Sequence, residues 1–257
     1  MSPDARSART VPDRMAQNAT RSLGITWIGQ GGFLVRSGST TICVDPYLSD
    51  SVLERNGPKR LLPIPVTPGK LKADLVLFTH DHLDHMDPDT VPHISGSIPM
   101  AGPPSCAGHL DSLGVERSRF TALGVGDKIS IGVLTVTGVF ASHTEDSLGY
   151  LVDSDLARIY FTGDTLYDEK LREVRKLSPD ILVTCINGKL GNMGVTDSAR
   201  LARELQVKIA IPCHYGMFAE NTENPSRFEG ALEHSGITCL TLDFNRELDM
   251  GQLLPQT

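Results

Sequence analysis

No stretch of this chain is long and apolar enough to span a bilayer, and none could form the apolar core of a signal peptide. The first 22 residues carry Arg6, Arg9, Arg14 and Arg21 and little that could be buried, so a disordered tail is expected ahead of one domain over residues 23–257. Paired thiol motifs are also missing. The five cysteines (Cys43, Cys106, Cys185, Cys213 and Cys239) are odd in number and widely spaced, with no C-X-X-C, and four stand among apolar or β-branched neighbours as buried thiols do. That usage fits a reducing cytoplasm, the expected location. There is no long basic run, and the formal net charge is −7. Nucleic acid or an anionic membrane is therefore not expected as the main partner, although a local basic pocket is compatible with that balance. No linker, low-complexity segment or short-period repeat follows the tail. With 40% hydrophobic and 21% charged residues, 257 residues can bury a full core.

What the chain does have is Thr79-His80-Asp81-His82-Leu83-Asp84-His85, directly behind the apolar run Leu75-Val76-Leu77-Phe78. No fold needs such crowding of imidazole and carboxylate for its own stability. If the run continues as a strand, its side chains alternate faces, so His80 and His82 point the same way, while Asp84 and His85 turn back toward a second centre. That arrangement suits two metal ions better than one. A lone His-X-His would be weak evidence, since a histidine cluster can be a solvated loop; five ligand-type residues in this order are not easily accidental.

Three short strands open the folded region, Gly24–Ile28, Phe33–Arg36 and Thr40–Val44, separated by glycine- and serine-rich turns. The third ends in Asp45-Pro46, where proline stops the ladder. Asp45 reads equally as a turn former or as a carboxylate that holds a ligand histidine in one tautomer. Residues 50–70, with four prolines and two glycines, read as an irregular excursion able to cover a neighbouring site, and Arg55, Lys59 and Arg60 within it as solvated charges. A strand over Ser97–Ala101 and a helix over Pro103–Leu113 follow. Strands are then expected at Lys128–Ile131, Leu134–Phe140, Leu148–Val152, Arg158–Phe161, Ile181–Cys185 and Lys208–Ile211, and helices at Asp168–Leu177, Asp197–Leu205 and Pro225–His234. Two β-rich halves, each passing into helices, imply an α/β fold with two sheets packed face to face and helices outside.

Further candidate ligands stand behind strands. His143 follows Leu134–Phe140, Asp164 follows Arg158–Phe161 with Gly163 just before it, and His214 lies between Pro212 and Gly216. Each is ambiguous alone, because strand-end histidines are commonly structural and Asp164 could be a helix N-cap. His93, His109 and His234 read as surface or core histidines.

In order, H-X-H-X-D-H, then His, then Gly-Asp, then His resembles the ligand set of the metallo-β-lactamase superfamily, whose fold is an αββα sandwich of two mixed sheets. Trp27-Ile28-Gly29-Gln30-Gly31-Gly32-Phe33, Val44-Asp45-Pro46-Tyr47, Ile186-Asn187-Gly188 and Ile211-Pro212-Cys213-His214-Tyr215-Gly216 look like its UlaG-like branch, the L-ascorbate-6-phosphate lactonases. The resemblance spans roughly residues 24–242. It implies His80, His82 and His143 on one metal, Asp84, His85 and His214 on the other, and Asp164 bridging both. It implies a hydrolase of a small anionic lactone, ester or phosphodiester working through a metal-bridging hydroxide, with Asp84 or Asp164 taking the proton. Alternatives on the same scaffold are a di-iron oxidoreductase or oxygenase, and a phosphodiesterase or nuclease. The resemblance leans toward manganese, and the oxygen and imidazole donors also admit zinc or iron. Asn187, Gly188 and Lys189, in a glycine-rich loop, and Tyr215 are the residues expected to meet the anion. A homo-oligomer is an allowed state.

Overall fold

The computed structural model describes residues 22–254. The expected N-terminal tail, apart from Ser22, lies outside the described residues. Strands form where aliphatic and β-branched residues run together: β1 Leu23–Gly29, β2 Gly32–Ser37, β3 Thr40–Val44 and β4 Leu75–Leu77. The first sheet continues through β5 Met100–Gly102 and β6 Phe120–Ala122. The second is built from β7 Lys128–Ile131, β8 Leu134–Phe140, β9 Leu148–Asp153, β10 Arg158–Phe161, β11 Ile181–Cys185, β12 Ile209–Cys213 and β13 Thr238–Cys239. The last strand, β14 Glu247–Asp249, returns to the first sheet and pairs with β1.

The sheet orders are β14-β1-β2-β3-β4-β5-β6 and β13-β12-β11-β10-β9-β8-β7. Each sheet is antiparallel along β14 to β3, or along β7 to β10, and parallel beyond. The two halves therefore repeat one plan. Parallel pairing requires a long crossover, and those crossovers supply the helices.

Both faces of the central strands are buried, which is why they read as continuous apolar runs. In β3 and β4, Ile42, Val44, Leu75 and Leu77 point into the core between the sheets, where the rings of Phe33 and Phe161 approach to 5.5 Å. Cys43 and Val76 point the other way, into a separate cluster closed by Cys106 and Leu110 of α2 (Pro104–Ser112). On the second sheet, α3 (Val195–Leu205) and α4 (Pro225–Leu232) pack together, with Leu201, Ala202 and Phe228 buried. The αββα sandwich is as expected.

Several details differ. The strand expected over residues 97–101 starts at Met100, because Ser95 to Ile98 form a turn whose carbonyls, at Ser95 and Ile98, accept from Arg119. The helix expected at Asp168 is a 3₁₀ helix, Glu169–Leu177, capped by the Asp168 carboxylate. The excursion at 50–70 contains a short helix, α1 (Ser51–Asn56). Arg60 in that excursion is not a solvated charge: it is 7% exposed, donates to the carbonyls of Ser49, Leu62 and Pro63, and stacks on Tyr47. Arg55 is tied down as well, by a two-pronged pair with Asp89.

Candidate metal centre

Strands β1, β3, β4, β8, β10, β11 and β12 all end at one edge of the sandwich, and the candidate residues leave from those carboxyl ends. Loops at that edge are where open parallel sheets place ligands. β4 stops at Leu77, so His80 and His82 are not on an extended strand. Residues 82–86 instead close a helical turn, with the His85 and Met86 amides donating to the His82 carbonyl. The turn, not strand alternation, orients Asp84 and His85, and it leaves the His85 ring beside that of His80 with centroids 4.2 Å apart.

Three overlapping groups of ligand atoms result, of which one, His80, His85 and Asp164, joins two trios that share no residue. His80, His82 and His143 form one, with His143 Nε2 3.1 Å from His82 Nδ1; Asp84, His85 and His214 form the other, with the Nε2 atoms of His85 and His214 3.0 Å apart. Asp164 lies between them. Its Oδ1 is 2.8 Å from His214 Nε2 and 3.3 Å from His85 Nε2, and its Oδ2 is 3.9 Å from His143 Nε2.

The surrounding hydrogen bonds fix which nitrogen is free. Asp45, 1% exposed, accepts from the Thr79 amide (2.7 Å), the Thr79 hydroxyl (2.6 Å) and His85 Nδ1 (2.7 Å). Because the Thr79 hydroxyl donates to Asp45, it accepts from His80 Nδ1 at 3.0 Å. His143 Nδ1 donates to the Gly191 carbonyl at 3.1 Å. Each of these three imidazoles thus carries its proton on Nδ1 and turns an Nε2 lone pair to the centre. Of Asp45's two readings, the structure shows the one in which it holds a histidine tautomer. The buried His80 Nε2 has no hydrogen-bond partner, and Asp164 Oδ1 faces only the Nε2 atoms of His214 and His85. Unpaired buried acceptors are costly, and a cation shared among them removes that cost.

The electrostatics agree. Burial, then the neighbouring His85, pushes His80 well below the usual histidine range, and burial with His143 lowers His82, so both rings are neutral donors. Burial opposes charge on His85, but Asp164, Asp45 and Asp84 outweigh it and raise that histidine well above its ordinary value. Burial likewise opposes ionisation of Asp164, yet His214 and His85 hold its carboxyl well below the carboxylate range. Carboxylates arranged so that they favour positive charge at an interior imidazole mark a site short of positive charge. Neutral imidazoles and carboxylates, with no thiolate among them, fit zinc, manganese or iron.

The backbone is bent to make this arrangement. Gln30, Asp45 and His214 all have positive φ (51°, 45° and 59°), a conformation that non-glycine residues adopt only where surrounding structure imposes it.

Above the two trios opens a cavity of about 440 Å³ whose floor includes His82, Asp84, Asp164 and His214. Val52, Asn56 and Pro58 from the 50–70 excursion form part of its wall, Phe218 packs in one cluster with Val52, and Leu190 and Asn221 complete the lining. The residues expected to meet an anion are placed elsewhere. Lys189 Nζ donates to the Glu220 carbonyl at 2.9 Å, and Asn187 Nδ2 donates to Asn221 Oδ1 at 2.7 Å; both bonds brace the 187–194 loop. Gly188, at φ +63°, shapes that loop and donates its amide to the Met193 carbonyl. Tyr215 is stacked on Trp27 with ring centroids 4.6 Å apart, so its ring belongs to the core, as the flat contact between two aromatic faces requires. His93 is exposed and His109 pairs with Asp81, away from both trios.

Three supporting residues were not singled out by the sequence. Gln30, fully buried, places Nε2 2.8 Å from Asp84 Oδ2 and 3.1 Å from His214 Nδ1. Thr79 links Asp45 to His80. Thr165 accepts from the Ser142 amide through its hydroxyl and from the Met193 amide through its carbonyl, joining the loops of His143, Asp164 and Leu190. The only available signal was position: each adjoins a ligand or sits in a glycine-rich strand exit.

The comparisons with known proteins agree with this architecture. The family model described as "Beta-lactamase superfamily domain" matches residues 24–214. A UPF0173 metal-dependent hydrolase of Rubrobacter xylanophilus is 29% identical over 244 residues, covering 87% of this chain and 94% of that protein. A UPF0173 protein of Pyrococcus furiosus is 28% identical over 221 residues, covering 85% and 95%. Among solved structures, Igni18, a metallo hydrolase of Ignicoccus hospitalis, superposes with a TM-score of 0.72 at 20% identity, covering 89% of this chain and 98% of that one.

Proposed function

The chain belongs to the beta-lactamase superfamily, and from that premise we propose that it is a binuclear metal-dependent hydrolase of a small carbonyl or phosphoryl ester, lactone or related compound. The observation that carries this reading is the convergence of two ligand trios on one carboxylate, Asp164. In it, His80, His82 and His143 hold one divalent ion, Asp84, His85 and His214 hold the other, and Asp164 lies between both. The R. xylanophilus relative, named a metal-dependent hydrolase, supports the same class. Bound divalent ions supply Lewis acidity and make water a competent nucleophile near neutral pH.

The protein's own groups do the rest. Asp45, Thr79 and Gly191 keep three imidazoles in the tautomer that presents Nε2. Asp84 reaches the cavity; its Oδ2, steadied by Gln30, faces the Nε2 atoms of His85 and His214 at 3.8 Å as the oxygen that would hold an ion, which leaves Oδ1 to accept a proton from an attacking water. Asp164 is held anionic by His214 and His85 and serves position before proton transfer. No cysteine competes as nucleophile: Cys43, Cys106, Cys185 and Cys213 are buried, Cys239 is half-buried on the outer strand β13, outside the cavity lining, and burial raises each thiol above its ordinary value.

The test is metal analysis of protein purified without added metal and then reconstituted with zinc, manganese or iron, alongside turnover of a lactone, ester and phosphodiester panel. Two ions at saturation, with hydrolysis of at least one class, are expected. Saturation at one ion, with Asp84 and His85 uncoordinated in a crystal of the loaded protein, overturns the binuclear reading.

A further inference from the structure

The cavity walls bear on what the substrate is, and this inference rests on the hydrolase reading in taking the ligand cluster as the reacting end. Above the floor, Val52, Pro58, Leu83, Leu190 and Phe218 make an apolar wall, and its polar residues are the neutral amides Asn56 and Asn221. Among the described residues no lysine or arginine lines the cavity. The nearby cations are engaged elsewhere: Lys189 on the Glu220 carbonyl, Arg55 on Asp89, and Arg60 on three carbonyls beneath the excursion. An anionic tail would thus meet hydrocarbon, and the negative charge of Asp84 below it, without a partner.

Leu190 gives a second, independent observation. It is 77% exposed, it lies on the cavity wall, and its φ is +55°. A large aliphatic side chain at a positive φ in solvent stabilises nothing by itself, and the loop is nevertheless locked around it. Asn187 and Lys189 tie one side to residues 220 and 221, and the Gly191 carbonyl ties the other to His143. Phe218, clustered with Val52, is backed by Tyr47 with ring centroids 5.8 Å apart, and Arg60 in turn stacks on Tyr47. Both apolar walls are rigidly supported, and a volume near 440 Å³ is that of a small-molecule pocket.

We propose that this cavity binds an uncharged substrate with an apolar tail, a short to medium acyl chain or a comparable hydrocarbon group, laid between Leu190 and Phe218. Leu190 is its specificity-determining residue. Asn221, whose Oδ1 is occupied by Asn187, offers a neutral donor to a carbonyl or amide near the reacting group.

The proposal is tested by binding, so that it does not depend on turnover. Metal-reconstituted protein is titrated calorimetrically with alkyl hydroxamates from aceto- to octanohydroxamate and with succinic monohydroxamate, whose tail ends in a carboxylate. The expected result is a Kd that tightens by about three- to fourfold for each added methylene until the cavity is filled, with the carboxylate tail weaker than the alkyl tail of equal length. Leu190→Ala is expected to flatten the series and weaken the longest member by about five- to tenfold. Leu190→Lys is expected to reverse the order, favouring the carboxylate. Position 190 is at the surface, so neither variant threatens folding. A flat series, a preference of the unmodified protein for the carboxylate tail, no binding by any member, or a Leu190→Ala series equal to the original overturns the proposal. Length-dependent binding without turnover of the matching alkyl esters sinks the hydrolase reading and leaves this assignment standing.

Discussion

Asp45 and Asp164 leave equivalent strands of the two halves, β3 and β10, yet their surroundings give them different work. Asp164 faces both trios, whereas Asp45 is saturated by Thr79 and His85 behind the centre. Asp164→Ala is therefore expected to abolish activity and to reduce metal content measured by elemental analysis. Asp45→Asn should keep the fold and lower metal affinity by about 10–100-fold, read by competition with a chelator, since the orientation of His85, and through Thr79 that of His80, is disturbed while every candidate ligand stays in place. Gly191 gives a sharper case. Its φ is +83°, and a Cβ there would stand 2.9 Å from His143 Nδ1. Gly191→Ala should displace His143, loosening the first trio while leaving the second intact; equal metal stoichiometry and affinity in the variant would refute this. The candidate ligands were legible from the sequence because each is a histidine or aspartate in the segment that follows a strand. Gln30 and Thr79 were not, since a buried amide and a hydroxyl become informative only when their partners, distant in sequence, are known.

At the scale of elements, the main strands followed from runs of buried aliphatic residues, but β6, β13 and β14 did not. These edge strands have two or three residues, partly exposed, and are defined by their neighbours more than by their own composition. The excursion at 50–70 was misleading for a related reason: prolines indicate irregular backbone, and they say nothing of whether it is anchored. Arg60 anchors it. Arg60→Ala should destabilise the protein by about 2–3 kcal/mol in urea unfolding, because three carbonyls lose a charged donor together. On the other edge, Arg36 of β2 reaches across β1 to Glu247 of β14. Arg36's hydrogen bonds hold the Glu247 carboxyl below its ordinary value against a smaller effect of burial. A depressed carboxylate stabilises the fold above its unfolded value and loses that effect as pH falls through the folded one. Arg36→Ala should thus cost stability at pH 7, and the difference in urea midpoint should shrink as acidification carries the solution below the ordinary glutamate value and vanish once the folded carboxyl is protonated. With Glu247 42% exposed, solvent screening keeps the effect small.

For the whole molecule, the centre draws on both halves: His80, His82, Asp84 and His85 precede β7, and His143, Asp164 and His214 follow it. Neither sheet can assemble a trio alone. Ions bound there act on the native state only, so chelation should lower the melting temperature, and restoring metal should raise it with concentration. A melting temperature indifferent to chelator, in protein shown to have lost its metal, would count against the shared centre.

The place of β14 has a consequence for how the chain is made. β1 is among the first described strands to be synthesised, yet the neighbour that covers its outer edge is residues 247–249. Until those residues leave the ribosome, a fully buried strand of the finished protein keeps an unpaired row of amides and carbonyls, the kind of edge that recruits strands from other nascent chains. Aggregation during expression should therefore respond more steeply to shortening at the C-terminus than to equal changes in the loops between the sheets.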